Sequence, residues 1–113
     1  MGNKLPAVAA GALWRPEVPN DHIALDTAAW FAWLEATTTT SFSYPVFDPA
    51  CGYIVGYMTV RKEHRRGGSS YWWAFRRQGK RVRKVYLGRS AQLTQARLAQ
   101  IAGTFHAAAP GSG

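Results

Sequence analysis

The sequence predicts an α+β fold: an N-terminal helix, an antiparallel β-meander of three to four strands, and a C-terminal helix packed on one sheet face. Three observations predict it. Apolar side chains recur at helical spacing at Trp30, Trp33 and Leu34, and again at Leu98, Ile101, Ala102 and Phe105. Between these two stretches, from Ser41 onward, the period falls to two. Clusters of turn-forming residues, "DPACG", "RRGGSS" and "RQG", then divide the span into strands.

Residues 1–24 lack periodicity and read as an irregular arm, residues 25–107 as a single domain and residues 108–113 as a disordered tail. In "LDTAAWFAWLEA", Asp26 is the expected N-cap, with Leu25 and Trp30 forming a hydrophobic staple around it. The run Thr37 to Thr40 ends that helix, because β-branched residues favour extended backbone. Phe42, Tyr44 and Val46 share one side of the first strand, and Pro45, which has no N–H to give a ladder, predicts an edge position. "YIVGYMTVRKEH" is the second strand, and "YWWAFRRQGKRVRKVYLGRS" supplies two more. Thr94 is the expected N-cap of the second helix.

A chain of 113 residues holds one small domain, and its 47% hydrophobic content is ample for a folded core. Its single cysteine excludes an internal disulfide and points to a reducing, cytoplasmic setting, and no run reaches membrane-spanning length. Charge is segregated. Residues 1–60 carry two basic and five acidic side chains, whereas residues 61–97 carry twelve basic side chains and Glu63. A block of one sign repels itself in the folded state and points to a partner of opposite sign.

Enzyme and metal motifs are missing from the sequence. His22, His64 and His106 have neither cysteine nor carboxylate at metal-ligand spacing, Cys51 has no marked base, and Glu35 and Asp48 have no motif to join them. No catalytic residue, metal site or cofactor is expected. The chemistry concentrates in Tyr71–Ser90, where five aromatic and seven basic side chains fill twenty positions without an acid.

The loop between the last two strands decides which of those side chains share a face. A three-residue loop, Arg77-Gln78-Gly79, needs positive φ only at glycine. It sets Trp72 opposite Lys84, Ala74 opposite Val82 and Arg76 opposite Lys80, with Tyr86 beside them. Tyr71, Trp73, Phe75, Val85 and Leu87 then lie beneath the C-terminal helix. Arg76 facing Lys80 gains nothing until an anion arrives.

The order of basic meander, "YLG" and "LTQARLAQIA" resembles the three-stranded-sheet-plus-helix DNA-binding domain of plant ethylene-response factors and of the N-termini of phage-type tyrosine recombinases. "AWFAWLEATTTTSFSY", "YWWAFRRQGKRVRKVYLGRS" and "LTQARLAQIA" together resemble the region preceding the ATPase module of LuxR-type, MalT-like bacterial transcription regulators, over about residues 22–104. The first resemblance implies a sheet in the major groove, with Arg76 as a base-contacting residue and Lys84 and Tyr86 as its basic and aromatic companions. Ala74 departs from the acidic residue common in that family, and the second resemblance makes the chain a fragment or a stand-alone relative.

The expectation is a non-enzymatic, cytoplasmic module that binds double-stranded DNA in bacterial transcription regulation or mobile-DNA recognition. Trp72, Arg76, Lys80, Lys84 and Tyr86 would meet bases and backbone. Arg61, Lys62, Arg65, Arg66, Arg77, Arg81, Arg83 and Arg89 would meet phosphates, with a salt slope of about −4.5 for roughly five contacts. The competing readings are an RNA or single-strand binder on the same platform, and a protein-interaction domain for an acidic partner or an ATPase module.

Overall fold

The structure, a computed structural model, describes residues 5–64 and 68–107; Arg65, Arg66 and the 108–113 tail lie outside them. The first described segment is extended rather than irregular. It forms β1 (Ala7–Ala9), β2 (Ala12–Arg15) and β3 (Val18–Ala24). Ala10 and Gly11 both take positive φ (54° and 76°), the two-residue turn whose twist suits a hairpin, and this reverses β1 onto β2. Helix α1 (Ala28–Glu35) follows, then β4 (Ser41–Asp48), β5 (Tyr53–His64), β6 (Ser70–Gln78) and β7 (Arg81–Gly88), a single 3-10 turn (Ser90–Gln92), and helix α2 (Gln95–Ala107).

The strands make one seven-stranded mixed sheet in the order β3-β2-β1-β4-β5-β6-β7, with β1 and β4 parallel and the other neighbours antiparallel. This corrects the expected meander of three to four strands, and with it the minimal three-stranded domain implied by the resemblance. The physical reason lies in β1 and β2. They are too short and too rich in alanine to read as strands, yet Val8 and Leu13 are buried and extend the core beyond β4.

Pro45 is accommodated inside the sheet rather than at its edge. The Ser43 amide donates to Pro6 O at 2.8 Å, so position 45, two residues on, also directs its nitrogen towards β1. β1 pairs with β4 at Ala7 and Ser43, so Pro45 lies past that paired position.

Both helix starts are capped, with one exchange of roles. Thr27, not Asp26, caps α1, its hydroxyl accepting from the Trp30 amide at 3.2 Å. Asp26 sits at φ 63° and its carboxylate accepts from the Gln95 amide at 2.8 Å, so it serves the N-terminus of α2 instead. Thr94 caps α2 through the Arg97 amide at 3.2 Å.

The core lies on one face of the sheet. Trp30 and Leu34 of α1 and Leu98, Ile101 and Phe105 of α2 meet Phe42, Val46, Met58, Val60, Trp72 and Leu87 there. Trp30 packs edge-on to Phe42 at 5.3 Å, and Phe42 lies 5.7 Å from Trp72. Each buried indole N–H has an acceptor: Leu93 O at 2.8 Å from Trp30 and Ser90 Oγ at 2.9 Å from Trp72.

Gly88 ends β7 at φ 108°, and a Cβ there would run into the side-chain amide of Gln92, whose oxygen accepts from the Arg89 amide at 3.0 Å. Gly88→Ala is expected to destabilise the fold by about 1–3 kcal/mol, read as a lowered urea midpoint.

Candidate functional site

The β6–β7 loop has two residues, not three. Gln78 pairs with Arg81, and Gly79 alone in the turn takes positive φ (64°), the glycine-first pattern of a type II′ hairpin. The partners therefore differ from those expected. Trp73 faces Tyr86, Phe75 faces Lys84, and Arg76 faces Arg83. A shift by an odd number of residues moves one strand's side chains to the other side of the sheet. Val85, opposite buried Ala74, and Leu87 two residues on lie on the core face, and a bulge between Trp72 and Trp73 leaves Leu87, 1% exposed, as the extra residue between the Tyr86 and Gly88 pairs.

Trp72, expected on the uncovered side, is 0% exposed and belongs to the core. Arg76 shares its face rather than meeting Lys80. Its guanidinium lies over Gly56, where a Cβ would approach to 2.6 Å, and Nη1 donates to Tyr57 O at 3.1 Å. Lys62 stands opposite Trp72, its ammonium 5.4 Å from that ring and donating to Ala36 O at 3.0 Å. Burial pushes its pKa down, against an upward pull from Glu35. Arg81 and Arg83, paired with Gln78 and Arg76, lie on that same face, while Lys80 is exposed in the turn. Arg65 and Arg66 lie outside the described residues.

The helix-free face gathers a different set. Along β5, β6 and β7 the register aligns Arg61 with Trp73 and Tyr86, and Thr59 with Phe75 and Lys84. Rings and cations alternate diagonally. Lys84 Nζ is 4.2 Å from the Trp73 ring and 5.5 Å from Phe75, Arg61 is 5.2 Å from Phe75, and Arg89 is 5.7 Å from Tyr71. Tyr86 packs at 5.0 Å against Trp73 and 6.1 Å from Tyr71. Arg77 and Val82 continue the face towards the hairpin tip, and Tyr57 continues it on β5.

Of the sequence-predicted residues, Arg61, Arg77, Lys84, Tyr86 and Arg89 come together here. Tyr71, Trp73 and Phe75, expected beneath the helix, join them. The signal that finds these three is Gly79 followed by a side-chain-bearing residue, which suits a type II′ turn as well as a longer loop.

The face is electrostatically one-sided. Its acidic group is Glu63, 3.9 Å from Lys84, and both side chains are about half exposed, so this pair constrains Lys84 weakly. An exposed cation on a ring is held by only about 0.5–1 kcal/mol. Lys84 and Arg61 can therefore leave their rings for an arriving anion, and the vacated π-faces then accept flat groups.

Elsewhere the Cys51 thiol is exposed and donates to Asp48 Oδ2 at 3.0 Å. That hydrogen bond, above all, raises its pKa, the opposite of what a nucleophile requires. Among the described residues, no group of three or more His, Cys, Asp or Glu side chains could hold a metal ion, and no helix is long and apolar enough to cross a membrane. Comparison with protein families, with curated proteins and with solved structures found no match to this chain.

The two adjacent tryptophans have opposite environments, and truncation should separate them. Trp72→Ala is expected to cost about 3–5 kcal/mol of stability and Trp73→Ala about 1 kcal/mol, compared by urea denaturation. Equal costs would contradict the register.

Proposed function

We propose that the protein binds single-stranded nucleic acid on the helix-free face of β5, β6 and β7. The observation that carries this reading is the mixture on that face: Tyr71, Trp73 and Phe75 lie 4.2–5.7 Å from the cations of Arg61, Lys84 and Arg89, and Tyr86 packs against Trp73 and Tyr71. Cations neutralise phosphates, and aromatic rings stack on unpaired bases whatever their sequence. Solubility alone accounts for the cations and leaves the rings unexplained.

Geometry favours a single strand over the double-stranded DNA expected from the sequence. A B-form major groove is about 12 Å wide and admits a two-stranded ribbon. Strands β4 to β7 are four neighbours in a continuous sheet, about 14 Å across at about 4.8 Å per step. The protruding β6–β7 tip carries Arg77, Lys80 and Arg81 but none of the four rings. A duplex there would gain charge contacts without the aromatic contribution. A role within a bacterial transcription regulator, as the sequence resemblance implies, is compatible with either form of nucleic acid.

Fluorescence anisotropy with labelled oligothymidylate, an RNA of matched length and a duplex tests the reading. Single strands should bind more tightly than the duplex at equal salt, with a log-log salt slope of about −2 for the three cations. Trp73→Ala and Tyr86→Ala should each weaken single-strand binding by about 1–3 kcal/mol. Preference for duplex would restore double-stranded DNA as the ligand. Binding to none of the three at low salt would overturn the proposal.

A further inference from the structure

The ring cluster on β5–β7 lies at one end of a row that crosses the entire sheet. Lys84 pairs with Phe75, Phe75 with Thr59, Thr59 with Ser43, Ser43 with Ala7, Ala7 with Trp14, and Trp14 with His22. All seven share the helix-free side, because their neighbours Val8, Leu13, Phe42, Val60 and Ala74 are buried on the other. The row is large at both ends and small in the middle. Phe75 and Lys84 stand at one end, and Trp14 and His22 at the other. Ala7, Ser43 and Thr59 form the floor between them.

The far end has the chemistry of a base-stacking surface. The Trp14 and His22 rings are stacked with centroids 4.8 Å apart and planes 30° from parallel. Trp14 is 42% exposed, although its indole N–H is already engaged with Ala9 O at 3.3 Å. The nearby carboxylate of Asp21 is paired with Arg15 at 3.2 Å, which moderates its repulsion of an anion. Among the described residues this end supplies rings without an unpaired cation, whereas the β5–β7 end supplies both.

We infer that a single-stranded nucleic acid crosses the strands along this row and that Trp14, backed by His22, is a second stacking platform for its bases. The inference rests on the nucleic-acid reading of the first platform. From β7 to β2 there are five steps between neighbouring strands, about 24 Å in all. That distance corresponds to about seven nucleotides at a stacked spacing of about 3.4 Å. Small floor residues let a backbone pass between the two ring clusters. Twist of about 20–25° per strand turns the platforms by about 100–125° relative to each other. A flexible single strand follows such a surface, whereas a duplex, stiff over about 150 base pairs, does not.

Binding of labelled oligothymidylates of about 4 and about 12 nucleotides, both within the range of known single-strand site sizes, separates the two platforms. Trp73→Ala should weaken binding of both lengths. Trp14→Ala should leave the short ligand unchanged and weaken the long one by about fivefold to 150-fold, without altering its salt slope. Trp14→Leu keeps an apolar side chain on β2 but lacks a π-face, and should reproduce the loss if the alanine variant unfolds. Wild-type affinity of Trp14→Leu for the long ligand, with Trp73→Ala impaired, would overturn the second platform and leave the first intact. Failure of the wild-type protein to bind either length would remove the nucleic-acid reading itself, and the second platform with it.

Discussion

Burying an indole requires an acceptor for its N–H, and Trp72 finds one in Ser90 Oγ at 2.9 Å. Much of the domain is arranged around that bond. Ser90 opens the 3-10 turn that follows β7, and the turn exists because Gly88 takes a conformation closed to other residues and Gln92 folds back onto the Arg89 amide. Leu93, at the end of the turn, offers its carbonyl to Trp30 at 2.8 Å, which anchors α1 to the same point. Phe42 packs against both indoles, so the central strand, the first helix and the last hairpin share one aromatic contact.

The helix-free face follows from that arrangement. With Trp72 in the core, Tyr71, Trp73 and Phe75 must project to the other side of β6. The register set by the type II′ turn then brings Lys84 and Tyr86 to meet them. The rings on this face are not surplus core. They are held in register by cross-strand contacts with one another and with Arg61 and Lys84. That order suits a recognition surface, because little side-chain freedom is left to lose on binding.

The positive block is divided between faces, and the division assigns different work to similar residues. Arg76 and Lys62 lie against the sheet with backbone carbonyls as acceptors, Arg76 admitted by the bare backbone of Gly56 and Lys62 by the end of α1. They position β5 and β6, and phosphates would have to compete with those carbonyls for them. Arg61, Lys84 and Arg89 lie on rings instead, where they are held weakly and remain available. A single-strand ligand would thus meet the three ring-bound cations here, with Arg77 beyond them at the hairpin end, rather than the whole basic block.

The sequence by itself determined the two helices' apolar stripes, the alternation along β4, the segregation of charge and the concentration of aromatic and basic chemistry in Tyr71–Ser90, since each is set by spacing or composition. It could not distinguish which half of that chemistry is buried. Glycine at position 79 satisfies two loop lengths, and an odd difference between them exchanges the faces of β6 relative to β7. Nor could it reveal β1 to β3, whose short alanine-, proline- and glycine-bearing segments have little strand character until β4 offers an edge and the core accepts Val8 and Leu13. Only the tertiary structure decided these points, because register and strand recruitment depend on packing between residues far apart in the chain. The same packing sets Trp14 and His22 in line with Phe75 and Lys84, an alignment that no local pattern encodes.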